Sequence, residues 1–192
     1  MNLFARVRFR WLAVMLLLGM ADTVAATDSA VDRLKAGDVL LLRHANAPGF
    51  GDPTGFRIDD CSTQRNLSEA GRQQAIAIGA WLRARGISRA RVYSSQWCRC
   101  LETAELLGIG QVSPLPALNS FFQRPEDRTP NLSALRGFLS AQALQNEPLI
   151  LVTHQVTVTA LTGVFPDSGE GVVATLGENG ELGDFARMNF DD

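Results

Sequence analysis

The chain has 192 residues, a formal net charge of −2 and 46% hydrophobic residues, which suits one globular domain with a sizeable core. A mildly acidic chain without a basic run is a poor candidate for binding nucleic acid or an anionic membrane surface. Any site for an anion must therefore be formed locally, by a few converging cations.

The N-terminus has the three regions of a secretory signal peptide. Three arginines within the first ten residues precede the apolar stretch Trp11–Met20, and small residues follow up to a cleavage site after Ala26. We therefore expect residues 1–26 to be removed and 27–192 to form a single domain, periplasmic or secreted, with no stable membrane span after cleavage. The alternative is a retained N-terminal anchor. Cleavage would change the net charge from −2 to −4, because the segment carries three arginines and one aspartate.

The three cysteines are compatible with one disulfide bond in an oxidising compartment. Cys98 and Cys100 are too close in sequence to bridge each other well, so Cys61 is expected to pair with one of them. Three small buried thiols are the alternative. A zinc site is disfavoured because the chain has only two histidines, far apart in sequence, and no C-x-x-C motif.

The first half of the chain predicts strands and helices separated by one long loop. A short helical turn over Val31–Ala36 precedes the apolar run Val39–Leu42, which is typical of a strand buried on both faces. Asn46–Asp60 is rich in glycine, proline and aspartate and predicts a loop. Ser68–Arg85 predicts an N-capped amphipathic helix, and Arg91–Ser94 predicts a second strand.

The second half continues the alternation. A helix is predicted over Arg99–Leu107, a loop over the proline-rich segment Val112–Pro130, and a helix capped by Asn131. Leu149–Thr153 is a second fully apolar strand, followed by a helix over Gln155–Leu161.

The chain is expected to end in a hairpin of two strands, Val172–Leu176 and Leu182–Phe185, around Asn179-Gly180, a pair that favours a type I′ turn. Strands that alternate with helices predict an α/β fold. We expect a three-layer sandwich, with a mostly parallel central sheet and helices on both faces.

Polar residues follow three of these strands directly. His44 follows the first strand, His154 follows the strand at Leu149–Thr153, and Ser94-Ser95 lead from the middle strand towards Arg99. In open α/β sheets, ligands bind beyond the carboxyl ends of the strands. The sequence therefore predicts one site built from these three strand ends.

These residue types suit the binding and transfer of a phosphoryl group. A neutral imidazole such as that of His44 is a competent nucleophile toward phosphorus. The guanidinium groups of Arg43 and Arg99 match two phosphate oxygens at once. His154, if protonated, would complete a positive cradle, and Asn46 is a candidate for one further hydrogen bond.

Each residue taken alone also has an ordinary structural explanation. Arg99 could pair with Glu102 or Glu105 along its helix, and a histidine at a strand end can simply be a satisfied buried residue. The joint arrangement favours function, because both histidines of the chain follow apolar strands.

Four motifs, in order along the chain, resemble those of the histidine phosphatase superfamily, also called the phosphoglycerate mutase-like fold. They are Leu41–Ala45, Asn66–Ala75, Tyr93–Ala104 and Val152–Gln155. The resemblance implies His44 as the nucleophile, Arg43, Arg99 and His154 as phosphate-binding residues, and a site without metal or cofactor.

The proton donor does not follow from the resemblance. The acid phosphatase and phytase branch commonly has an aspartate where this chain has Gln155, and the mutase branch has a glutamate where this chain has Leu118-Asn119-Ser120. Glu170, which precedes a strand, is the first candidate for the donor. Weaker candidates are the loop acids Asp59, Asp60, Glu126 and Asp127.

The expected function is that of an exported phosphatase that hydrolyses phosphomonoesters through a phosphohistidine on His44. Residues 46–65 are expected to form a flap over the site, where Arg57 and Arg65 could touch the substrate. Without room for a large cap domain, the expected partner is a phosphorylated small molecule or a sugar phosphate, and a phosphohistidine or lipopolysaccharide-sugar phosphatase is a narrower possibility. A mutase is disfavoured by export. The alternative is a catalytically weak phosphate-binding module that lacks a general acid.

Overall fold

The computed structural model of the protein describes residues 29–142, 145 and 147–190. The predicted signal peptide, residues 1–26, lies outside the described residues. Within the described part of the chain, no helix is both long enough and apolar enough to cross a membrane.

The described residues form six strands and five α-helices. The strands are β1 (Val39–Arg43), β2 (Arg91–Ser94), β3 (Val112–Pro114), β4 (Leu149–Thr153), β5 (Gly171–Leu176) and β6 (Leu182–Met188). The helices are α1 (29–35), α2 (Glu69–Ala84), α3 (Cys98–Leu107), α4 (Arg128–Gln142) and α5 (Gln155–Thr162). Three short 3₁₀ turns lie at Cys61–Thr63, Pro116–Leu118 and Pro125–Asp127.

One mixed sheet, in the order β3-β2-β4-β1-β5-β6, forms the middle layer of the fold. The first four strands in this order pair in parallel, and β5 runs antiparallel to both of its neighbours. Parallel pairing sets the carboxyl ends of β1, β2 and β4 at the same edge of the sheet. The register pairs Arg43 with Thr153 and Ser94 with Val152, so the residues that follow each strand emerge side by side.

Helices cover both faces of the sheet, because alternate residues of each strand point to opposite sides. Leu40 and Leu42 of β1 pack into a core cluster with residues of α1, α2 and α3. Val39 and Leu41 pack into a second cluster with residues of α4 and α5. The three-layer α/β sandwich with a mostly parallel sheet, expected from the strand and helix alternation, is confirmed.

Two predicted local features differ from the structure. The segment Val112–Pro130 is not a continuous loop, because Val112–Pro114 adds an edge strand beside β2 and α4 already begins at Arg128. Pro130 lies in the first turn of that helix. Backbone N–H groups in the first turn have no acceptor within the helix, so the N–H that proline lacks costs no helical hydrogen bond. The type I′ turn is also wrong: it requires positive φ at two central residues, and Gly180 has φ +78° whereas Asn179 does not have a positive φ.

The first turn of α2 packs tightly against the chain that leaves β1. The Ser68 hydroxyl caps the helix by accepting a hydrogen bond from the Gly71 amide at 3.0 Å. A Cβ atom on Gly71 would collide with the backbone carbonyl of Asn46, so only glycine allows this approach. The Ser-x-x-Gly start of this helix therefore positions the loop that follows His44.

A disulfide joins Cys61 to Cys98, one of the two pairings expected from the sequence. It ties the segment 46–65 to the start of α3. Cys100 is a free, buried thiol, and burial raises its pKa to about 12. Cys100 is therefore protonated and unreactive at neutral pH.

Candidate active site

The ends of β1, β2 and β4 meet beneath one cavity. Its lining includes Arg43, His44, Arg99 and His154, four residues that the sequence predicts to act together. The imidazole rings of His44 and His154 lie 5.5 Å apart between centroids and meet edge to face. The structure therefore brings together residues that are up to 111 positions apart in the chain.

His44 is almost fully buried, with 2% of its surface exposed, and its hydrogen bonds define its tautomer. The Ala45 carbonyl lies 2.8 Å from Nδ1 and can only accept, so Nδ1 carries the proton. Nε2 is then unprotonated, and its lone pair accepts a hydrogen bond from Arg99 Nε at 3.3 Å. Burial, helped by the positive charge of Arg99, lowers the pKa of His44 to about 3. The ring is neutral at any ordinary pH, with Nε2 as its nucleophilic atom.

Arg99 has its guanidinium engaged by a carboxylate that the sequence did not single out. Its Nη1 and Nη2 donate to Asp52 Oδ1 at 2.7 Å and Oδ2 at 3.0 Å, in a bidentate pair with both side chains at most 4% exposed. The expectation that Arg99 might pair with Glu102 is not met, since Glu102 pairs with Arg72 instead. Arg99 thus links the nucleophile to the segment 46–65.

Two further arginines line the cavity. Arg43 donates through Nη1 to the Pro166 carbonyl at 2.9 Å, and its buried Nε finds no hydrogen-bond partner among the described residues. Arg65 donates to the carbonyls of Gly51 and Ala47, which holds the flap closed around its guanidinium. A buried N–H without a partner is a group that a bound anion would satisfy.

His154 is held by the end of β2. Its Nε2 lies 2.9 Å from the Ser95 hydroxyl and 3.5 Å from Cys100 Sγ. Burial, together with the charge of Arg99, lowers the pKa of His154 well below its ordinary value. His154 is therefore neutral in the protein without ligand, so the condition under which it would complete a positive cradle is not met there. A neutral His154 can contribute a single ring N–H to an anion.

The flap (residues 46–65) and the loop 119–123 form the mouth of the cavity. Phe50 of the flap and Phe122 of the loop meet edge to face, with ring centroids 4.9 Å apart, and they are 88% and 44% exposed. Gln123 exchanges two hydrogen bonds with the Asp52 backbone, accepting from its N–H at 2.7 Å and donating to its carbonyl at 3.2 Å. The flap expected from the sequence is therefore present and is fastened to the opposite loop.

Two of the predicted site residues are not brought to the cavity. Asn46 is exposed, and its side-chain amide donates to the Ser68 hydroxyl at 3.4 Å. Glu170 is buried beside a different surface depression, where Oε1 pairs with Arg187 at 2.5 Å and Oε2 accepts from the Asp167 amide at 2.7 Å. The β5–β6 hairpin brings Arg187 to Glu170, so the carboxylate is engaged away from His44. This placement does not support Glu170 as the proton donor.

The weaker acidic candidates also lie outside the cavity lining. Asp59 and Asp60 pair with Arg57 on the outer side of the flap, so Arg57 does not reach the cavity either. Glu126 and Asp127 pair with Arg124 at the surface. Asp52 is the acid that sequence reasoning missed. Its only sequence signal was its place in a Gly-Asp-Pro turn within the predicted flap.

Within the described part of the chain, no group of three or more histidine, cysteine, aspartate or glutamate side chains is arranged to hold a metal ion. The cavity is lined instead by three arginines and two histidines. This arrangement offers N–H donors to an oxyanion and a neutral nitrogen nucleophile to its central atom.

Comparison with known proteins agrees with this geometry. Residues 39–121 match the model of the histidine phosphatase superfamily, branch 1. This match supports the histidine phosphatase superfamily as the family of the chain. The matched segment contains the His44, α2 and Arg99 motifs and ends before His154, which the sheet places beside them. None of the curated proteins shows significant sequence similarity to the chain.

Several solved structures share the fold. A structure of the protein histidine phosphatase SixA complexed with tungstate is 20% identical, with a TM-score of 0.57, covering 80% of this chain and 97% of that one. A putative phosphohistidine phosphatase SixA from Agrobacterium tumefaciens is 23% identical, with a TM-score of 0.50, covering 78% and 97%. A mycobacterial glucosyl-3-phosphoglycerate phosphatase in complex with VO3 is 16% identical, with a TM-score of 0.54, covering 73% and 93%. The fold is thus the phosphoglycerate mutase-like α/β sandwich.

Proposed function

We propose that the protein is a phosphatase that hydrolyses phosphomonoesters through a phosphohistidine formed on His44 Nε2. The observation that carries the proposal is the state of that atom. It carries a lone pair and no proton because Nδ1 is protonated, that lone pair accepts a long hydrogen bond from Arg99, and His44 lines a cavity together with Arg43, Arg65 and Arg99. A neutral nucleophile surrounded by cations is suited to attack on a phosphoryl group whose oxygens those cations hold.

The phosphate-binding roles follow from the groups that face the cavity. Arg43 has a buried Nε without a hydrogen-bond partner among the described residues, and the ring of His154 lies 5.5 Å from that of His44. Arg99 offers a fork that fits two oxygens. Structures with the same fold were obtained with tungstate and with VO3, which are oxyanions like phosphate. In this proposal the arginines and His154 hold the equatorial oxygens, and no metal or cofactor takes part.

The substrate we propose is a phosphorylated small molecule, with a sugar phosphate as the first choice. Phe50 and Phe122 leave apolar ring surface exposed at the mouth of the cavity, where the organic part of an ester would lie. Aromatic rings suit the C–H faces of a sugar. Similarity in fold to SixA structures also makes a phosphohistidine side chain worth including in an assay.

We also propose that the protein is exported, and works in the periplasm or outside the cell as the single domain 27–192. The Cys61–Cys98 disulfide supports this proposal, because structural disulfides persist in oxidising compartments. N-terminal sequencing of the secreted protein would test it. A start at Thr27 is expected, and recovery of the intact N-terminus in the membrane fraction would contradict it.

The catalytic proposal is tested with residues 27–192 on p-nitrophenyl phosphate and a panel of sugar phosphates. His44→Ala should abolish turnover and the acid-labile phosphoenzyme trapped by rapid quenching. His154→Asn is the matched control, because it removes the other histidine and should slow turnover but still allow the phosphoenzyme to form. Turnover that survives His44→Ala would reject the mechanism. Binding of inorganic phosphate without turnover of any substrate would favour the phosphate-binding module instead.

A further inference from the structure

Asp52 is the only carboxylic acid among the described residues that line the cavity. Its side chain is 4% exposed, and all of its hydrogen-bond partners are N–H groups. Besides the Arg99 fork, Oδ1 accepts from the Arg65 amide at 3.2 Å and Oδ2 accepts from the Trp97 indole at 3.0 Å. The carboxylate is therefore ionised in the protein without ligand. It pairs with the guanidinium of Arg99, whose two parallel N–H donors would also suit a phosphate.

The backbone of Asp52 is fixed independently of its side chain. Gln123 exchanges two hydrogen bonds with the Asp52 amide and carbonyl, and the Cys61–Cys98 disulfide anchors the C-terminal part of the flap to α3. The carboxylate can thus leave Arg99 by rotation of its side chain while the residue stays at the mouth of the cavity.

A phosphoryl group and the Asp52 carboxylate compete for the same Arg99 fork. Each is an oxyanion that pairs best with two parallel N–H donors, and Arg99 Nη1 and Nη2 provide one such pair. Binding of substrate must therefore displace the carboxylate and leave it close to a second anion in a buried position. Both conditions favour its neutral, protonated form.

The influences on the pKa of Asp52 in the free protein agree with this change. Burial is the largest influence and raises the pKa, while the hydrogen bonds and charge of Arg99, together with hydrogen bonds from the Arg65 amide and the Trp97 indole, lower the pKa overall. Once phosphate occupies Arg99 and the carboxylate has turned away from its N–H donors, the influences that oppose burial are lost. The pKa then rises, and Asp52 takes up a proton from solvent.

We propose that Asp52 is the general acid of this site: it rests on Arg99 in the free enzyme and protonates the leaving group once substrate has displaced it. The inference rests on the proposed phosphatase function. His44 Nε2 forms a bond to phosphorus, the bond from phosphorus to the ester oxygen breaks, and the Asp52 proton moves to that oxygen. The alcohol then leaves.

The same residue completes the second half of the reaction. The Asp52 carboxylate accepts a proton from water as the water oxygen bonds to phosphorus and the bond from phosphorus to Nε2 breaks. Inorganic phosphate is released, His44 is again neutral, and Asp52 is again protonated. When phosphate departs, Asp52 loses its proton to solvent and returns to Arg99.

The test compares leaving groups in Asp52→Asn, which keeps the size of the side chain. For a sugar phosphate, whose alcohol is a poor leaving group, the single-turnover rate of phosphoenzyme formation should fall by about 10² to 10⁴. For p-nitrophenyl phosphate, whose phenolate leaves without a proton, that rate should change less than about threefold, while the later attack of water should slow equally for both substrates. Inorganic phosphate should inhibit the variant more tightly than the wild type, because the competing charge has gone.

Two control variants accompany the test. Asp59→Asn removes an exposed carboxylate of the same flap, and Glu170→Gln removes the buried acid that pairs with Arg187. Neither should show a loss that depends on the leaving group. An equal loss in the rate of phosphoenzyme formation on both substrates in Asp52→Asn would overturn the proposal and leave Asp52 as a residue that positions Arg99. The proposed phosphatase function would fail in a different way. Either the wild type would show no turnover, or its turnover would persist in His44→Ala.

Discussion

Acid should destabilise this protein through the histidine that we propose as nucleophile. His44 has a pKa of about 3 in the folded protein, against an ordinary value of 6.5 for an accessible histidine. Between these two values the unfolded chain binds a proton that the folded chain does not. The free energy of unfolding therefore rises with pH in this window and falls as the pH is lowered through it.

The size of the effect follows from the difference between the two pKa values. A tenfold difference in proton affinity between the folded and unfolded chains corresponds to about 1.4 kcal/mol, so the full effect of His44, complete below about pH 3, is about 5 kcal/mol. Acidification from about pH 7 to about pH 4 covers most of the window and should cost about 3 kcal/mol through His44 alone. This loss is a large fraction of the unfolding free energy of an ordinary domain. His154 adds a loss of the same sign.

The assay is urea denaturation of the wild type and of His44→Asn at both pH values. Asparagine removes the titrating group but keeps a polar side chain of similar size. The variant should lose about 3 kcal/mol less than the wild type on acidification. Loss from titrating carboxylates is common to both proteins and cancels in the comparison, as does any constant difference in stability.

His154→Asn serves as the second variant and should reduce the acid sensitivity in the same direction. Equal acid sensitivity in His44→Asn and the wild type would refute the reasoning. It would mean that His44 is protonated, or reached by solvent, in the folded protein. The same result would remove the neutral nucleophile on which the proposed mechanism depends.

Two further predictions concern the flap and the loop 119–123 that faces it. Replacing Cys61 and Cys98 together by alanine opens a loop with a sequence separation of 37, and should lower the free energy of unfolding by up to about 4 kcal/mol, measured by denaturation with and without reductant. An unchanged denaturation midpoint would show that the bond does not constrain the unfolded chain. Replacing Phe50 and Phe122 together by alanine should raise KM for sugar phosphates about thirtyfold, since stacking of this kind contributes about 1 kcal/mol per ring. Inhibition by inorganic phosphate should not change, and an equal weakening of both would place the rings in phosphate binding rather than in recognition of the organic group.

Much of the site was accessible from the sequence because it depends on local signals. Arg43 and His44 are neighbours at the end of a fully apolar strand, and His154 ends another. In a parallel sheet such positions emerge at one edge whatever the remaining packing. The Ser68 cap and the disulfide partner Cys61 were likewise recognisable from residue type and spacing.

Local sequence signals do not show which arginine each acidic residue pairs with. The position of Glu170 before a strand predicts a proton donor, but pairing of β5 with β6 brings Arg187 to its carboxylate and leaves it outside the cavity. Asp52 lies in a loop without periodicity, and its partner Arg99 is 47 positions away. Which carboxylate meets which arginine depends on how the flap folds back over the sheet.

The amino-acid sequence was enough to determine the sheet, because the hydrophobic pattern marks which segments are buried strands. It also determined the ligand-binding edge and the groups that meet there, because parallel pairing sets the polar residues after each strand side by side. The tertiary structure alone decided the protonation of the two histidines and the placement of the acid. Both depend on burial and on charges brought close by long-range packing, and a pKa responds to that surrounding field rather than to residue type.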